Sequence, residues 1–474
     1  MIFGPLAPDK AKAGNDGFLT VADGVYPMED GYRPAGQFSA LYDALAAKAK
    51  GAASFTSPSG GNYIIAGTQT ALYQAYGSGW TGIGSGYNIQ DDGRWRFAQF
   101  GGLAIATNGA DVMQKIDLAS GTVSELSGTP PKFETLAVVK DFLVGGVRNG
   151  NAMHIGWSGI NDAEWWTTGQ RQCDRQVLPT GGRVNGILSG EYGIILQRDR
   201  ICRMDYVGGN VIFEINEVSS NIGCVTVHSV AQWGRMGFFL SDEGFMMWDG
   251  SQVVPIGREW IDREFAGLYQ ANDWQNMSAA VDPVNGVVIW SMGDKCYLYS
   301  WVFQRWATFP VSAEIIFSGV TKGIGMDETD PTYGADDDDL DFTGLPSLDD
   351  PIFKGGDPRL YVFNTSHVAG TLSGTPQATT FTGMDLELFQ GRRACVRFIR
   401  PDTDATSGLT FTASYRQRLG DSVATSAYTT LVDSGEMPVR INGRYIRPKL
   451  EYAAGTTWTY AKGIEFIGEP GAGR

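Results

Sequence analysis

Histidine and cysteine are scarce in this chain, and neither falls in a pattern that carries chemistry. The three histidines, His154, His228 and His367, form no HxxxH or HxH pair, so each reads as a hydrogen-bonded structural residue and not as a metal ligand. The five cysteines (173, 202, 224, 296 and 395) are odd in number and contain no CxxC pair. That argues against structural zinc and against a disulfide framework, and leaves buried thiols made in a reducing cytosol as the plain reading. Long apolar runs are missing too. No stretch approaches ~18 residues, so no membrane span is expected, and the opening MIFGPLAPDKAKAGNDG has no apolar h-region of a secretory signal. Basic charge is short: 37 Lys and Arg stand against 52 Asp and Glu, a net charge of −15. This speaks against a phosphate-gripping nucleic-acid face.

Catalytic motifs are equally thin. There is no GxxxxGK[ST], and the Gly-rich pieces at 77–79 and 82–86 are not followed by a helix, so they read as turns and not as phosphate cradles. Gly156-Trp157-Ser158-Gly159 falls short of GxSxG and follows the second strand of a hairpin, not a strand that feeds a helix. Paired carboxylates for glycoside hydrolysis need a fixed separation across a cleft, and among 52 acids no pair stands out. The sequence therefore names no catalytic residue, no metal ligand and no cofactor.

What the chain does have is glycine (63 residues) and aromatics (12%), the mixture of an all-β protein rich in turns. One phrase recurs: a short apolar strand, a turn of Asp, Asn or Gly, and a returning strand. In Gly237–Trp248 it reads GFFL-SDEG-FMMW, and residues of the turn type tolerate the backbone angles of a tight reversal. The copies begin at 64, 103, 142, 194, 238 and 287, in steps of 39, 39, 52, 44 and 49 residues. A period near ~45 residues with about four strands per unit is the spacing of propeller blades, each of which hides its faces against its neighbours. The expectation is a β-propeller of about six blades over residues 61–322, with Leu360–Phe363 as a closing strand or a seventh blade; a long β-sandwich is the alternative.

Around it, residues 1–60 read as an extended arm with one short helix, FSALYDALAAKAK at 38–50, capped by Ser39 and ended by Gly51. Residues 323–358 form an acidic loop, 359–379 a propeller closure or connector, and 380–474 a smaller C-terminal β-sandwich-like domain whose strands alternate apolar and polar residues. The acidic loop holds eleven carboxylates against one lysine. Its centre, Asp336, Asp337, Asp338, Asp339 and Asp341, reads either as a solvated loop or as a calcium site, although contiguous acids lack the spacing of a calcium loop. It is the candidate channel-facing element. Trp165, Trp166, Trp260 and Trp274, on long connections, are candidate interface aromatics, since Trp is favoured at interface centres.

Several of these pieces resemble one family. Trp95–Gly101, Ala106-Thr107-Asn108-Gly109, Trp157-Ser158, Leu178–Gly182, Asp249-Gly250 with Pro255-Ile256-Gly257, and Gly443–Arg447 with Trp458 are similar, in order, to the tail tube or nozzle (packaged-DNA-stabilisation-like) proteins of short-tailed bacteriophages. The resemblance runs from about Val21 to Gly468. It implies a structural virion protein without catalytic residues, made in the host cytoplasm and built into the tail as a homo-hexameric ring. Its implied partners are the portal, the adaptor or head-completion protein, and tail fibre, spike or needle proteins. DNA would pass through the ring without sequence-specific binding, and an acidic or neutral lumen would let phosphates slide. A carbohydrate-binding or glycoside-hydrolysing propeller on a phage tail or cell surface is the alternative function.

Overall fold

The computed structural model describes residues 1–10, 17–321 and 356–471. The structure is all-β, with many small four-stranded antiparallel sheets in series. The first unit contains Gly51–Thr56, Asn62–Gly67, Ala71–Tyr76 and Gly79–Ser85; the second runs from Arg96 to Glu125, the third from Thr135 to Val177, the fourth from Val184 to Ser220 and the fifth from Ala231 to Pro255. The sixth, Ser278 to Phe309, supplies four strands of a ten-stranded sheet. All six hairpins expected from the sequence are the second and third strands of these units, with Gly67 opposite Leu72, Leu240 opposite Phe245 and Ile289 opposite Leu298 as examples.

There is a seventh unit. Ala313–Val320, Pro358–Asn364 and Val368–Thr371 form three of its strands, and its fourth is Ser39–Ala44, from the other end of the chain. Leu360–Phe363, read from the sequence as a closing strand or a seventh blade, lies in its second strand; the unit was hard to count because its first two strands are parted by the acidic insertion and its fourth is not contiguous. The same pairing overturns the expected helix at 38–50. Ser39 faces Thr371, Ala40 faces Gly370 and Ala44 faces Val368, while Trp80 Nε1 donates to the Asp43 carbonyl at 2.9 Å. A thirteen-residue helix is marginal alone and its propensity is worth only tenths of a kcal/mol per residue. An open sheet edge offers a backbone ladder, and Tyr42 and Leu45 gain a core with Trp80 and Phe363.

The first strands of the first to fourth units lie side by side in order, as do those of the fifth to seventh, and that of the seventh lies beside that of the first, an arrangement compatible with a β-propeller. Hydrogen bonds cross the seams. Gln99 Nε2 donates to the Thr56 carbonyl at 2.7 Å, Gln232 Nε2 to Ser189 at 2.7 Å, and Trp290 Nε1 to Ser229 at 2.9 Å. Ser318 Oγ receives the Val281 amide at 2.9 Å, and Ser54 Oγ receives that of Val320 at 2.9 Å. Large rings fill the seams where glycine leaves room: a Cβ on Gly67 would stand 2.1 Å from Trp95, and one on Gly145 2.2 Å from Phe133.

The rest of the chain is a two-sheet sandwich, and the N-terminal segment belongs to it. One sheet runs Val25–Met28, Gly31–Pro34, Ala461–Pro470, Ala394–Thr403 and Met437–Gly443. The other contains Leu19–Asp23, Thr379–Gly383, Tyr445–Tyr452 and Leu409–Arg416, with two short edge strands, Ala424–Thr425 and Thr429–Thr430. Strict alternation of buried and wet positions along Met437–Gly443 and Tyr445–Tyr452 matches the period-two pattern. The described residues of 1–34, read from the sequence as part of an extended arm, are therefore docked on the sandwich. The Met1 amino group donates to the Ile464 carbonyl at 2.7 Å, and Phe3 stacks on Phe381 at 4.6 Å. Sandwich and ring are also one hydrogen-bonded body. Asp23 pairs in parallel with Thr308 of the sixth unit, whose hydroxyl donates to the Asp23 carboxylate at 2.7 Å, and one apolar core runs from the sandwich into the fifth, sixth and seventh units.

Candidate functional site

The first strands surround an axial cavity. Its outer chamber, about 510 Å³, is walled by the leading ends of the second, third and fourth units and by the segment before the fifth. An inner chamber of about 230 Å³ continues between the first strands of the first, fifth, sixth and seventh units. Arg94, Arg96 and His228 line both. Position follows from local sequence: Arg94 and Arg96 flank Trp95, whose ring is buried over Gly67, so the two guanidiniums point away from that seam. His228 sits on a short 3₁₀ turn capped by Thr226, whose hydroxyl receives the His228 amide at 3.3 Å.

The three side chains are coupled. Arg96 Nη2 donates to His228 Nδ1 at 2.9 Å and to the Val227 carbonyl at 3.1 Å, while Arg94 Nη2 donates to the Gln275 carbonyl at 2.8 Å. Nδ1 therefore carries the lone pair and Nε2 the proton. Burial, and then the nearby Arg94 and Arg96 charges, push the His228 pKa far below its ordinary value, so the imidazole is neutral. Burial also lowers Arg94 to about 9 and Arg96 to about 10, the former helped by its twin. Of the other charged groups on the outer chamber, Arg183 pairs with Glu134, Arg198 reaches out to Asp242, and Asp92 stands two residues before Arg94.

The residues singled out from sequence lie elsewhere. Asp336, Asp337, Asp338, Asp339 and Asp341 fall outside the described residues. Trp165, Trp166, Trp260 and Trp274 are all half-buried and pack within the chain. Trp165 carries the Arg171 guanidinium at 4.1 Å, Trp166 lies 5.6 Å from Phe133 and donates to Ala163, Trp260 meets Phe18 and Lys10, and Trp274 packs on the main core. The structure does not bring the four together on one element. His367 Nδ1 is 2.6 Å from Glu314, which also receives the Ala49 amide at 2.9 Å, and so ties the segment before the first unit to the seventh. The four buried thiols are raised by burial, Cys173 and Cys224 to about 11 and Cys296 to about 12. Among the described residues no group of three or more His, Cys, Asp or Glu could hold a metal ion, and no helix is long and apolar enough to cross a membrane.

Sequence reasoning missed two features. One is the axial arginine pair, whose only signal was an R-W-R triplet just before a strand. The other is an apolar patch by the sandwich edge: Leu419, Val423, Tyr428 and Val432 are exposed, Tyr428 by 74%. Lone apolar residues in a polar loop give no periodic signal.

No family model and no curated protein matches the chain. Among solved structures it is similar to the extracellular domain of a hybrid two-component system from B. thetaiotaomicron, with 10% identity and a TM-score of 0.44 over 84% of this chain and 46% of that one. The chain thus spans less than half the length of that structure. A computationally designed protein, Ika8, is similar at 8% identity and a TM-score of 0.40, covering 78% of this chain and 99% of that one. The WD40 domain of Neurospora crassa Pan2 follows at 8% identity and a TM-score of 0.37, over 61% and 90%. Identities this low assign no activity and no partner.

Proposed function

We propose that this chain is a structural subunit of the tail of a short-tailed phage: a seven-bladed propeller fused to a sandwich, assembled as a ring that extends the portal and adaptor channel. In this reading the ring retains packaged DNA, conducts it at ejection, and seats tail fibres, spikes or a needle. The observation that carries it, beside the sequence resemblance, is mechanical. The N-terminal segment is laced first into the sandwich and then into the seventh unit, so neither body can open without breaking strands far apart in the chain. A part that resists the strain of confined DNA needs that construction more than it needs a reactive pocket. The duplex would pass between copies, since the axial cavity of one chain is far too small for it. The exposed edge of the sandwich around Tyr428 supplies apolar surface for the next copy.

Negative-stain imaging of the purified protein, alone and mixed with portal and adaptor, tests the proposal. The expected result is a ring whose central hole admits a duplex. A chain that stays monomeric in every mixture, or that degrades or captures polysaccharide on a glycan array, would overturn it in favour of the carbohydrate reading.

A further inference from the structure

The axial cavity holds an unusual imbalance. The whole chain carries a net charge of −15, yet among the described residues the ionisable side chains on the inner chamber are Arg94, Arg96 and the neutral His228. Neither arginine has a carboxylate partner among the described residues. Their bonds go to two backbone carbonyls and an imidazole nitrogen, all through Nη2. Both guanidiniums are half-buried on the wall of one cavity, where they repel each other, and both are driven below the ordinary arginine range, mainly by burial. A charged group without a carboxylate partner, perturbed and set in a cleft, marks a functional-site candidate. Their remaining N–H groups make no bond to the described residues and are not among the occluded unpartnered atoms, so they open on the cavity.

We propose that the axial cavity is a binding site for a compact multivalent oxyanion of the phosphate class, gripped by Arg94 and Arg96. Planar guanidinium forks match the oxygens of a phosphate or pyrophosphate, and a dianion balances the two charges. His228 positions Arg96 by accepting its proton donor at Nδ1, and it adds no charge of its own. The outer chamber, with Arg183 and Arg198 already engaged by Glu134 and Asp242, is the path inward and also admits a second phosphoryl group. Trp95 and Phe317, the aromatic residues among the described lining of the inner chamber, are buried and offer little face to stack a base, so the ligand needs no nucleobase. This inference stands apart from the tail-protein proposal, because it concerns the axis of a single chain.

The test is isothermal titration of the intact chain with inorganic phosphate and with pyrophosphate, each against sodium acetate and chloride at equal ionic strength. One-to-one binding of phosphate or pyrophosphate, absent with acetate and chloride, is expected. R94Q and R96Q should each weaken it by about 10- to 100-fold, the range for losing a charged hydrogen bond. R94K and R96K keep the charge but lose the fork, fold more readily than the Gln forms, and should weaken binding by a smaller factor of about 3- to 10-fold. Absence of phosphate-specific heat up to about 10 mM, the range of very weak affinity, would overturn the proposal. So would binding that the Lys and Gln variants leave unchanged.

Discussion

Asp262 provides a sharp test of the packing described above. It opens the short helix Asp262–Leu268, beneath the turn that leads into the third strand of the fifth unit. Side-chain atoms added at Gly244 or Gly257 would come within 2.0 and 1.9 Å of its carboxylate, which shows how tightly those two backbones close over it. Oδ1 receives the Phe245 amide at 3.0 Å, Oδ2 has no partner among the described residues, and the Asp9 carboxylate stands nearby, accepting the Arg263 and Glu264 amides at 2.6 and 2.8 Å. Burial is the main cause, and Asp9 a further one, by which the Asp262 pKa is raised from 3.8 to about 6; the Phe245 bond opposes the shift. The sign follows directly. A carboxyl whose folded pKa exceeds its unfolded value stabilises the fold below about pH 4, and that contribution drains away as pH rises towards 6. Two pH units at about 1.4 kcal/mol each set a ceiling near 3 kcal/mol. Water that still reaches the group reduces it to about 1–2 kcal/mol.

The substitution Asp262→Asn keeps the acceptor for Phe245 and removes the charge. At pH 7 it should stabilise the protein by about 1–2 kcal/mol, whereas at pH 4 the two proteins should be equal within a few tenths. Urea unfolding from pH 4 to 8, with hydrogen exchange at the Phe245 amide as a local readout, measures the difference. Parallel pH profiles for the two proteins, or a variant less stable at pH 7, would refute the reasoning. The first would mean that Asp262 is solvated in the fold, and the second that its charge is satisfied.

Other outcomes follow from the same contacts. Gly67→Ala puts a methyl group into the Trp95 indole, 2.1 Å from its Cδ1; overpacking of this kind costs about 1–3 kcal/mol, and a shift in indole fluorescence should accompany the loss in urea midpoint. Phe381→Ala removes the ring that meets Phe3, Tyr32, Tyr452 and Trp458, at a cost of about 3–5 kcal/mol by thermal or urea unfolding. Cys395 is the one thiol that is not buried, so a thiol reagent at pH 8 should label it first, and the other four only on unfolding. If the ring proposal holds, Tyr428→Asp should leave the unfolding free energy of the isolated chain unchanged within about 0.5 kcal/mol, as surface changes do, while abolishing assembly with the portal.

The repeating hairpins were legible in the sequence because their signal is local. A short apolar strand, a Gly or Asp turn and a returning strand are specified by neighbouring residues, and side-chain alternation along Leu409–Arg416 and Met437–Gly443 is a one-dimensional pattern. Hence the all-β class and the spacing of six units were readable. What failed was whatever depends on partners distant in the chain. Residues 39–44 carry helix formers, yet they became a strand because the seventh unit presented an open edge more than three hundred residues away. Residues 1–34 looked like an arm until Phe3 and Tyr32 were seen buried against Phe381. The axial arginines show the same limit from the side of chemistry. Arg94 and Arg96 are ordinary residues in an acidic chain, and only the packing of distant units sets them beside His228, with no ion pair to a carboxylate among the described residues. Local sequence determined the strands and their pace; long-range burial decided which strand completes which sheet and where charge is left unbalanced, because sheet edges and apolar faces are satisfied by whatever the folded chain brings near them.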